Sequence, residues 1–322
     1  MSDGLLFDFP TYRIKKPVRL IELFAGIGSQ AKALENLNVN FEHWFVCEFD
    51  KYAIKSYNAI HHTNFETSDV TQIKGSDLRI TDTKDYEYIL TYSFPCVDLS
   101  MAGKGMARKD GLKRGSQTRS GLLWQVERLL NECQELPQIL LMENVPEVAK
   151  TEGFEDWLQF LRSKGYVNHY DFLNAKNYGI PQNRNRCFCI SILSADYVDY
   201  EFPKPVKLEK KLLDILEDKV DEKYYINNEK AQKLIKDIVS REDIKIYGND
   251  KANYKPFNNA MSYPIHSQDF VRTGFMDIAP TLSARDYKDP KYVVKTAGNI
   301  NPSDKGVSGV VTDVRGGGLH LP

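Results

Sequence analysis

The sequence predicts an α/β fold: a mostly parallel, doubly wound sheet with helices on both faces and a smaller region appended. Three observations carry this. An apolar run from Val18 to Leu23 passes through Phe24-Ala25-Gly26-Ile27-Gly28-Ser29 into a helical pattern near Gln30, a strand, glycine turn and helix in succession. A second run, His43 to Phe49, ends in the acidic Glu48-Phe49-Asp50, about 20 positions past the glycines, where such folds place a carboxylate on ribose hydroxyls. Two further runs, Tyr88 to Tyr92 and Gln138 to Met142, are apolar without alternation, as strands buried on both faces are. In an open α/β sheet, ligands gather at the carboxyl ends of the strands.

Composition bounds the rest. With 322 residues, 42% of them hydrophobic, the chain can bury a sizeable core, divided on composition into residues 1–195 and a lysine- and glutamate-rich, then irregular, part from 196 to 322. The 43 basic residues are balanced by 44 acidic ones, so a nucleic-acid partner must be held by a local basic patch rather than a global field. Five cysteines without framework spacing, no signal peptide and no membrane-length apolar run predict a reduced, cytoplasmic protein away from membranes. Cys187 and Cys189 are read as alternating faces of a strand, and Cys47 and Cys133 lack partners at ligand spacing, so no metal site is expected.

Residues 1 to 18 are a polar lead-in that reveals no function. The turn at Gly26 and Gly28 suits close approach of a nucleotide-like ligand, but tight turns use glycine for structural reasons equally often. Phe49 is placed to cover an adenine, and Asp69, beside Val70, to accept from an exocyclic amine. Each acid is otherwise a solvated loop residue.

The run to Tyr92 ends in Pro95-Cys96, a thiol at a strand end beside the segment 103–121, which carries Lys104, Arg108, Lys109, Lys113, Arg114 and Arg119 among glycines. A lone cysteine is usually a small buried residue; this one has the company of a nucleophile, next to a loop able to close over a polyanion. A helix over Leu122 to Cys133 presents Leu122, Val126, Leu129 and Leu130 inward. The strand to Met142 leads into Glu143, which, partly desolvated, is a candidate general acid. After a helix over Phe154 to Lys164 and an element over Tyr166 to Asn174, Arg184 and Arg186 open a strand two residues apart, pointing to one side and suited to phosphate or carbonyl oxygens.

Taken together, FAGIGS, CEFD, SDV, FPCVDLSMAGK, TRSGLLW, MENV and YGIPQNRNR, between Arg19 and Leu193, resemble in order the motifs of the cytosine C5 DNA methyltransferases of bacterial or phage type, from restriction-modification systems or orphan. APTLSARDYK, residues 279–288, resembles that family's later motif. Two positions depart: Val97 where glutamine is common and Glu22 where aspartate is usual. A nicotinamide dehydrogenase is disfavoured, because the third glycine of that fingerprint is absent.

The resemblance implies a Rossmann-like catalytic region binding S-adenosylmethionine. The cofactor would lie across Phe24, Gly26 and Gly28, with its ribose on Glu48, its adenine between Phe49 and the Asp69-Val70 segment, and Pro95 and Leu122 closing the pocket. It implies double-stranded DNA as partner, a flipped cytosine, attack by Cys96 on C6, Glu143 donating to N3, Arg186 on the cytosine O2 and Arg184 on a flanking phosphate. A cognate restriction endonuclease is the companion such an enzyme implies. A catalytically weakened relative and an RNA-directed C5 methyltransferase are the alternatives.

Residues 206–235 read as a connector with two helical patterns, KLEKKLLDILED and NEKAQKLIKDI. Lys245 to Met276 occupies the family's target-recognition position, with Tyr247, Asn249, Lys251, Tyr254, Lys255 and Asn258 chemically apt to read bases. Gly298-Asn299 resembles the family's closing motif, yet the glycine-rich tail lacks helical periodicity. A monomer short of its closing helix is expected, or one completed by a second chain.

Overall fold

The computed structural model describes residues 12–96, 99, 111–116 and 118–215, and the backbone of strands at 245–247, 260–263, 273–276, 279–280, 292–297 and 310–316. The chain divides into two units, one of Met1–Leu173 with Asn185–Pro203, the other of Asn174–Arg184 with Lys204–Pro322.

The first unit is built on a six-stranded sheet. Its strands are β1 (Val18–Leu23), β2 (Phe41–Cys47), β3 (Glu87–Tyr92), β4 (Ile139–Asn144), β5 (Tyr166–Asn174) and β7 (Asn185–Leu193); β6, Gln182–Asn183, belongs to the second unit. The order across the sheet is β2-β1-β3-β4-β7-β5. β1 to β4 run parallel, and β7 is antiparallel to β4. The register aligns the strand ends: Leu23 lies opposite both Cys47 and Tyr92, and Tyr92 opposite Met142.

Period two along the strands divides two apolar layers. Ile21, Leu23, Tyr88, Leu90, Tyr92, Leu140 and Met142 face one cluster; Val18, Leu20, Ile89 and Ile139 face the other. The first is covered by α3 (Leu123–Glu132), through Leu123, Val126, Leu129 and Leu130, and by α4 (Glu152–Ser163), through Phe154, Trp157, Leu158 and Leu161. Ala31 of α1 (Ser29–Asn36) packs on the second. Helices therefore lie on both faces, as expected of a doubly wound sheet. Trp157 is fully buried, and its indole N–H donates to the Tyr92 hydroxyl at 3.0 Å, the partner a buried indole requires.

Several boundaries differ from expectation. β2 ends at Cys47, so Glu48-Phe49-Asp50 lies beyond the strand; Asp50 instead caps a helix not anticipated from the sequence, α2 (Lys51–His61), accepting from the amides of Tyr52 and Ala53 at 2.7 and 3.0 Å. A 3₁₀ turn, Ser120–Leu122, precedes α3, so the helix starts at Leu123, which is fully buried, while Leu122 is partly buried against the same core. Cys187 and Cys189, two residues apart, share one face of β7 and are both buried. Arg184 precedes β7 and belongs to the other unit, so it and Arg186 are not two positions of one strand.

In the second unit, β8 (Lys245–Tyr247), β9 (Ala260–Tyr263), β10 (Thr273–Met276), β12 (Tyr292–Ala297) and β13 (Val310–Gly316) form a sheet in the order β13-β12-β9-β10-β8. The stretch Lys245 to Met276, irregular by sequence, thus holds three short strands, and the glycine-rich tail supplies one, antiparallel to β12. β11 (Ala279–Pro280), from APTLSARDYK, pairs with β6. Of the first helical pattern a 3₁₀ turn, Leu212–Ile215, is described; NEKAQKLIKDI, Asn249, Lys251, Tyr254, Lys255, Asn258 and Gly298-Asn299 lie outside the described residues.

Candidate active site

Because the strand ends are level, the loops leaving β1, β2, β3 and β4 emerge side by side. The loop after β1 is the glycine turn. Phe24 and Gly26 take left-handed backbone at φ 57° and 58°, and Gly28, at φ 82°, caps α1. The two glycines serve different ends. A Cβ on Gly28 would stand 2.3 Å from Nε2 of His61 and 2.7 Å from the Tyr57 ring, so this glycine lets α2 close against the turn. A Cβ on Gly26 would meet no described atom within 4 Å, so this one borders open space.

Glu48 is positioned by backbone donors. Its Oε2 accepts from the Gly26 amide and its Oε1 from the Asp50 amide, both at 2.8 Å. The Ser68 amide bonds the Glu48 carbonyl at 2.9 Å and the Ala25 amide the Cys47 carbonyl at 3.2 Å, which tie the Asp69 segment and the glycine turn to the end of β2. Val70 is buried beneath this surface while the Phe49 ring is 75% exposed. Asp69 is partly committed elsewhere, its Oδ1 accepting from the amide and hydroxyl of Thr71.

An adenosyl ligand fits these residues. The free space over Gly26, an oriented carboxylate for vicinal hydroxyls, the exposed Phe49 ring and the buried Val70 supply polar and apolar groups of the right kind. Pro95 and Leu122 are half-buried, and the Ser120 hydroxyl donates to the Pro95 carbonyl at 2.9 Å, joining the turn before α3 to the loop after β3.

The same loop carries Cys96. The Asn144 side-chain amide, at the end of β4, donates to the Phe94 carbonyl at 3.0 Å and its Oδ1 accepts from the Val145 amide at 2.8 Å, so the β3 and β4 loops are stitched together next to Cys96 and Glu143. Burial pushes Cys47 and Cys133 up to about 11, and Cys187 and Cys189 up to about 12, which removes them as thiolate nucleophiles near neutral pH.

Glu143 is ion-paired with Arg186, Nε to Oε1 at 3.0 Å, both side chains being largely buried at 17% and 15% exposure. Arg186 approaches from β7, where Glu143 lies opposite Phe188 in the antiparallel pairing. Arg184, in the second unit, has its amide bonded to Asn174 Oδ1 at 3.1 Å. Of the basic segment, Lys104, Arg108 and Lys109 lie outside the described residues. Lys113 and Arg119 are exposed, but Arg114 pairs with Glu127 and lies 4.1 Å over the Trp124 ring, so its charge is already engaged.

Sequence reading missed Asn144, Ser120 and the layer behind the glycine turn. There Glu22, fully buried, accepts from the Tyr57 hydroxyl at 2.5 Å and from the Ala31 amide at 3.3 Å. Burial raises the Glu22 carboxyl above its ordinary value despite these donors. The available signal was a polar residue inside an apolar run, Glu22 in VRLIEL and Asn144 in ILLMEN: a buried polar group needs a partner.

Residues 18–305 match the profile of the family described as C-5 cytosine-specific DNA methylase. The type II methyltransferase M.NlaX of Neisseria lactamica is 31% identical over 288 residues, covering 88% of this chain and 80% of that one. The orphan methyltransferase M.SssI of Spiroplasma monobiae is 36% identical over 275 residues, 66% of this chain and 68% of that one. Among solved structures, Entamoeba histolytica methyltransferase EhMeth superposes with a TM-score of 0.60 at 18% identity, covering 91% of each chain, a likeness of fold. No helix among the described residues is long and apolar enough to cross a membrane.

Proposed function

The chain belongs to the C-5 cytosine-specific DNA methylase family and is an S-adenosylmethionine-dependent DNA cytosine C5 methyltransferase; from that premise we propose that it acts through a covalent Cys96 adduct on a cytosine flipped out of duplex DNA. The observation that carries this reading is the junction at Asn144, whose bond to the Phe94 carbonyl keeps the Cys96 and Glu143 loops adjacent at level strand ends.

Within a stacked duplex the C6 face of cytosine is inaccessible, so the base must leave the helix, at a cost of about a few kcal/mol. The Cys96 thiolate adds to C6, and the electrons displaced from the C5–C6 bond are accommodated by a hydrogen bond from Glu143 to N3. Arg186, already against Glu143, holds that side chain and the cytosine O2. Bound S-adenosylmethionine supplies the electrophilic methyl group taken by C5. Transfer of the C5 proton to a solvent base then expels the Cys96 thiolate and restores the aromatic ring. Phe24, Gly26, Gly28, Glu48, Phe49, Asp69, Val70, Pro95 and Leu122 form the cofactor pocket in this reading, and Arg184 a phosphate contact.

We assign catalysis and cofactor binding to residues 1–195 and DNA reading to 196–322, with a restriction endonuclease of the same site as companion. The test is a mechanism trap. The protein is mixed with S-adenosylmethionine and DNA containing 5-fluorocytosine, whose fluorine cannot leave as a proton does. A denaturation-resistant adduct mapping to Cys96 is expected. Folded protein that binds this DNA and cofactor yet leaves no adduct would overturn the covalent step.

A further inference from the structure

Against the glycine turn, three side chains from three elements converge. His43 comes from β2, Glu35 from α1 and His61 from the end of α2, and one ligand atom of each lies within 4.8 Å of the others. We propose that Glu35, His43 and His61 form a structural site for a divalent transition-metal ion of the zinc class.

The surroundings of the two imidazoles favour it. A metal-ligating histidine ordinarily gives its second nitrogen to an oxygen that fixes the ring. The Tyr57 hydroxyl donates to Glu22, so its oxygen is left to accept from His43 Nδ1, 2.7 Å away, which directs the lone pair of this ring to Nε2. His61 Nε2 lies 3.2 Å from the Ile27 carbonyl, an acceptor only, and its Nδ1 lies 2.7 Å from Glu35 Oε1. Both nitrogens of His61 thus face oxygen acceptors, a demand that a neutral imidazole with one N–H cannot meet and a cation at Nδ1 can.

Two imidazoles and one carboxylate match zinc in ligand type, with a fourth position for water. The site is inward: the His61 side chain is fully buried and the Glu35 side chain 31% exposed. Lys32 is the opposing charge, bonded to the other carboxylate oxygen, Oε2, at 2.8 Å, which leaves Oε1 to the site. Ligand bonds of about 2.0–2.1 Å at a tetrahedral angle set ligand atoms roughly 3.3 Å apart, so Glu35 and His61, at 2.7 Å, must separate by about half an ångström, while the widest pair of the cluster, within 4.8 Å, closes by as much as about 1.5 Å. Rotation of Glu35, on the surface of α1, supplies the separation. The ion would clamp β2, α1 and α2 around the backbone of the glycine turn.

The full-length protein, stripped with chelator, is dialysed against zinc chloride and separately against cobalt chloride. One zinc per chain by elemental analysis, visible absorption of tetrahedral cobalt, and a zinc-dependent rise in thermal midpoint are expected. Glu35→Gln and His43→Gln should abolish all three while keeping the circular dichroism of the wild type; His62→Gln, on the adjacent exposed histidine, should change none. Tyr57→Phe, which removes the oxygen orienting His43, should weaken affinity by roughly 10- to 100-fold. A wild type that takes up no zinc, or Glu35→Gln protein that retains it, means that the cluster holds only a proton and overturns the proposal. None of these readouts depends on methyl transfer, so failure here leaves the catalytic reading untouched, and the reverse.

Discussion

The two carboxylates at the carboxyl ends of β2 and β4 are held in opposite ways. Glu48, after β2, accepts two backbone amides, those of Gly26 and Asp50. Glu143, in β4, is held by a side chain, the Arg186 guanidinium. Backbone donors are fixed once the strands and turns have formed, so the cofactor half of the site is organised before any ligand arrives. A guanidinium on a flexible stem can exchange partners, which suits the role proposed for Glu143, a carboxyl engaging a base only after that base is flipped. On the roles we propose, binding is built into the fold while chemistry rests on a contact able to rearrange.

Substitutions can break this contrast, and the largest effect belongs to the chemical half. Cys96→Ala should abolish methylation while S-adenosylmethionine affinity stays near that of the wild type, measured by isothermal titration alongside methyl transfer. Substantial turnover in this variant would eliminate covalent catalysis. Glu143→Gln keeps the shape of the side chain but removes its acidic proton and its charge; single-turnover rates should fall by roughly 10²- to 10⁴-fold with cofactor binding unchanged. An equal loss of cofactor affinity would show that the two halves are not separable in the way described.

The glycine turn sharpens the comparison from the other side. Gly26→Ala and Gly28→Ala both place a side chain in left-handed backbone, at a cost of about 1–2 kcal/mol each. Beyond that they diverge. At Gly26 the added methyl enters the open space assigned to the cofactor, so affinity should fall more than stability. At Gly28 it strikes His61 and Tyr57, so the denaturation midpoint should fall more, through displacement of α2. Equal losses in both measurements for both variants would mean that the turn acts as one rigid piece.

These residues also mark what the sequence makes legible. Glycines, a cysteine after a proline, and acids at the ends of apolar runs are local signals, so a mostly parallel sheet with helices on both faces could be read directly, and the candidate positions named. Helix α2 escaped because its signal is a single capping aspartate, Asp50, read instead as part of an acidic strand end. Arg184 and Arg186 were joined by a period-two argument that fails because the chain passes between units at that point. The cluster of Glu35, His43 and His61 has no motif at all: its members lie on a helix, a strand and another helix, and only packing brings them together.

The smallest effect, and the one that tests the buried layer most directly, concerns Glu22. Its folded carboxyl is raised above the ordinary value of 4.5, chiefly by burial. Folding therefore favours its proton, and the stability so contributed is fully present below about 4.5 and is lost as pH rises through the folded value. Glu35 has the opposite sign. Its bonds to Lys32 and then to His61 hold it down at about 2, so its contribution, discounted because the side chain is partly exposed, is lost only as pH falls below the unfolded range. Above the unfolded carboxylate range the Glu35 contribution is constant. Urea unfolding should show the wild type losing stability relative to Glu22→Gln as pH rises from about 4.5 through the folded value of Glu22. A difference that does not change with pH would place the negative charge on Glu22 throughout, compensated by the Tyr57 and Ala31 donors, and would make this buried acid an anchor for the glycine turn as firm as Glu48.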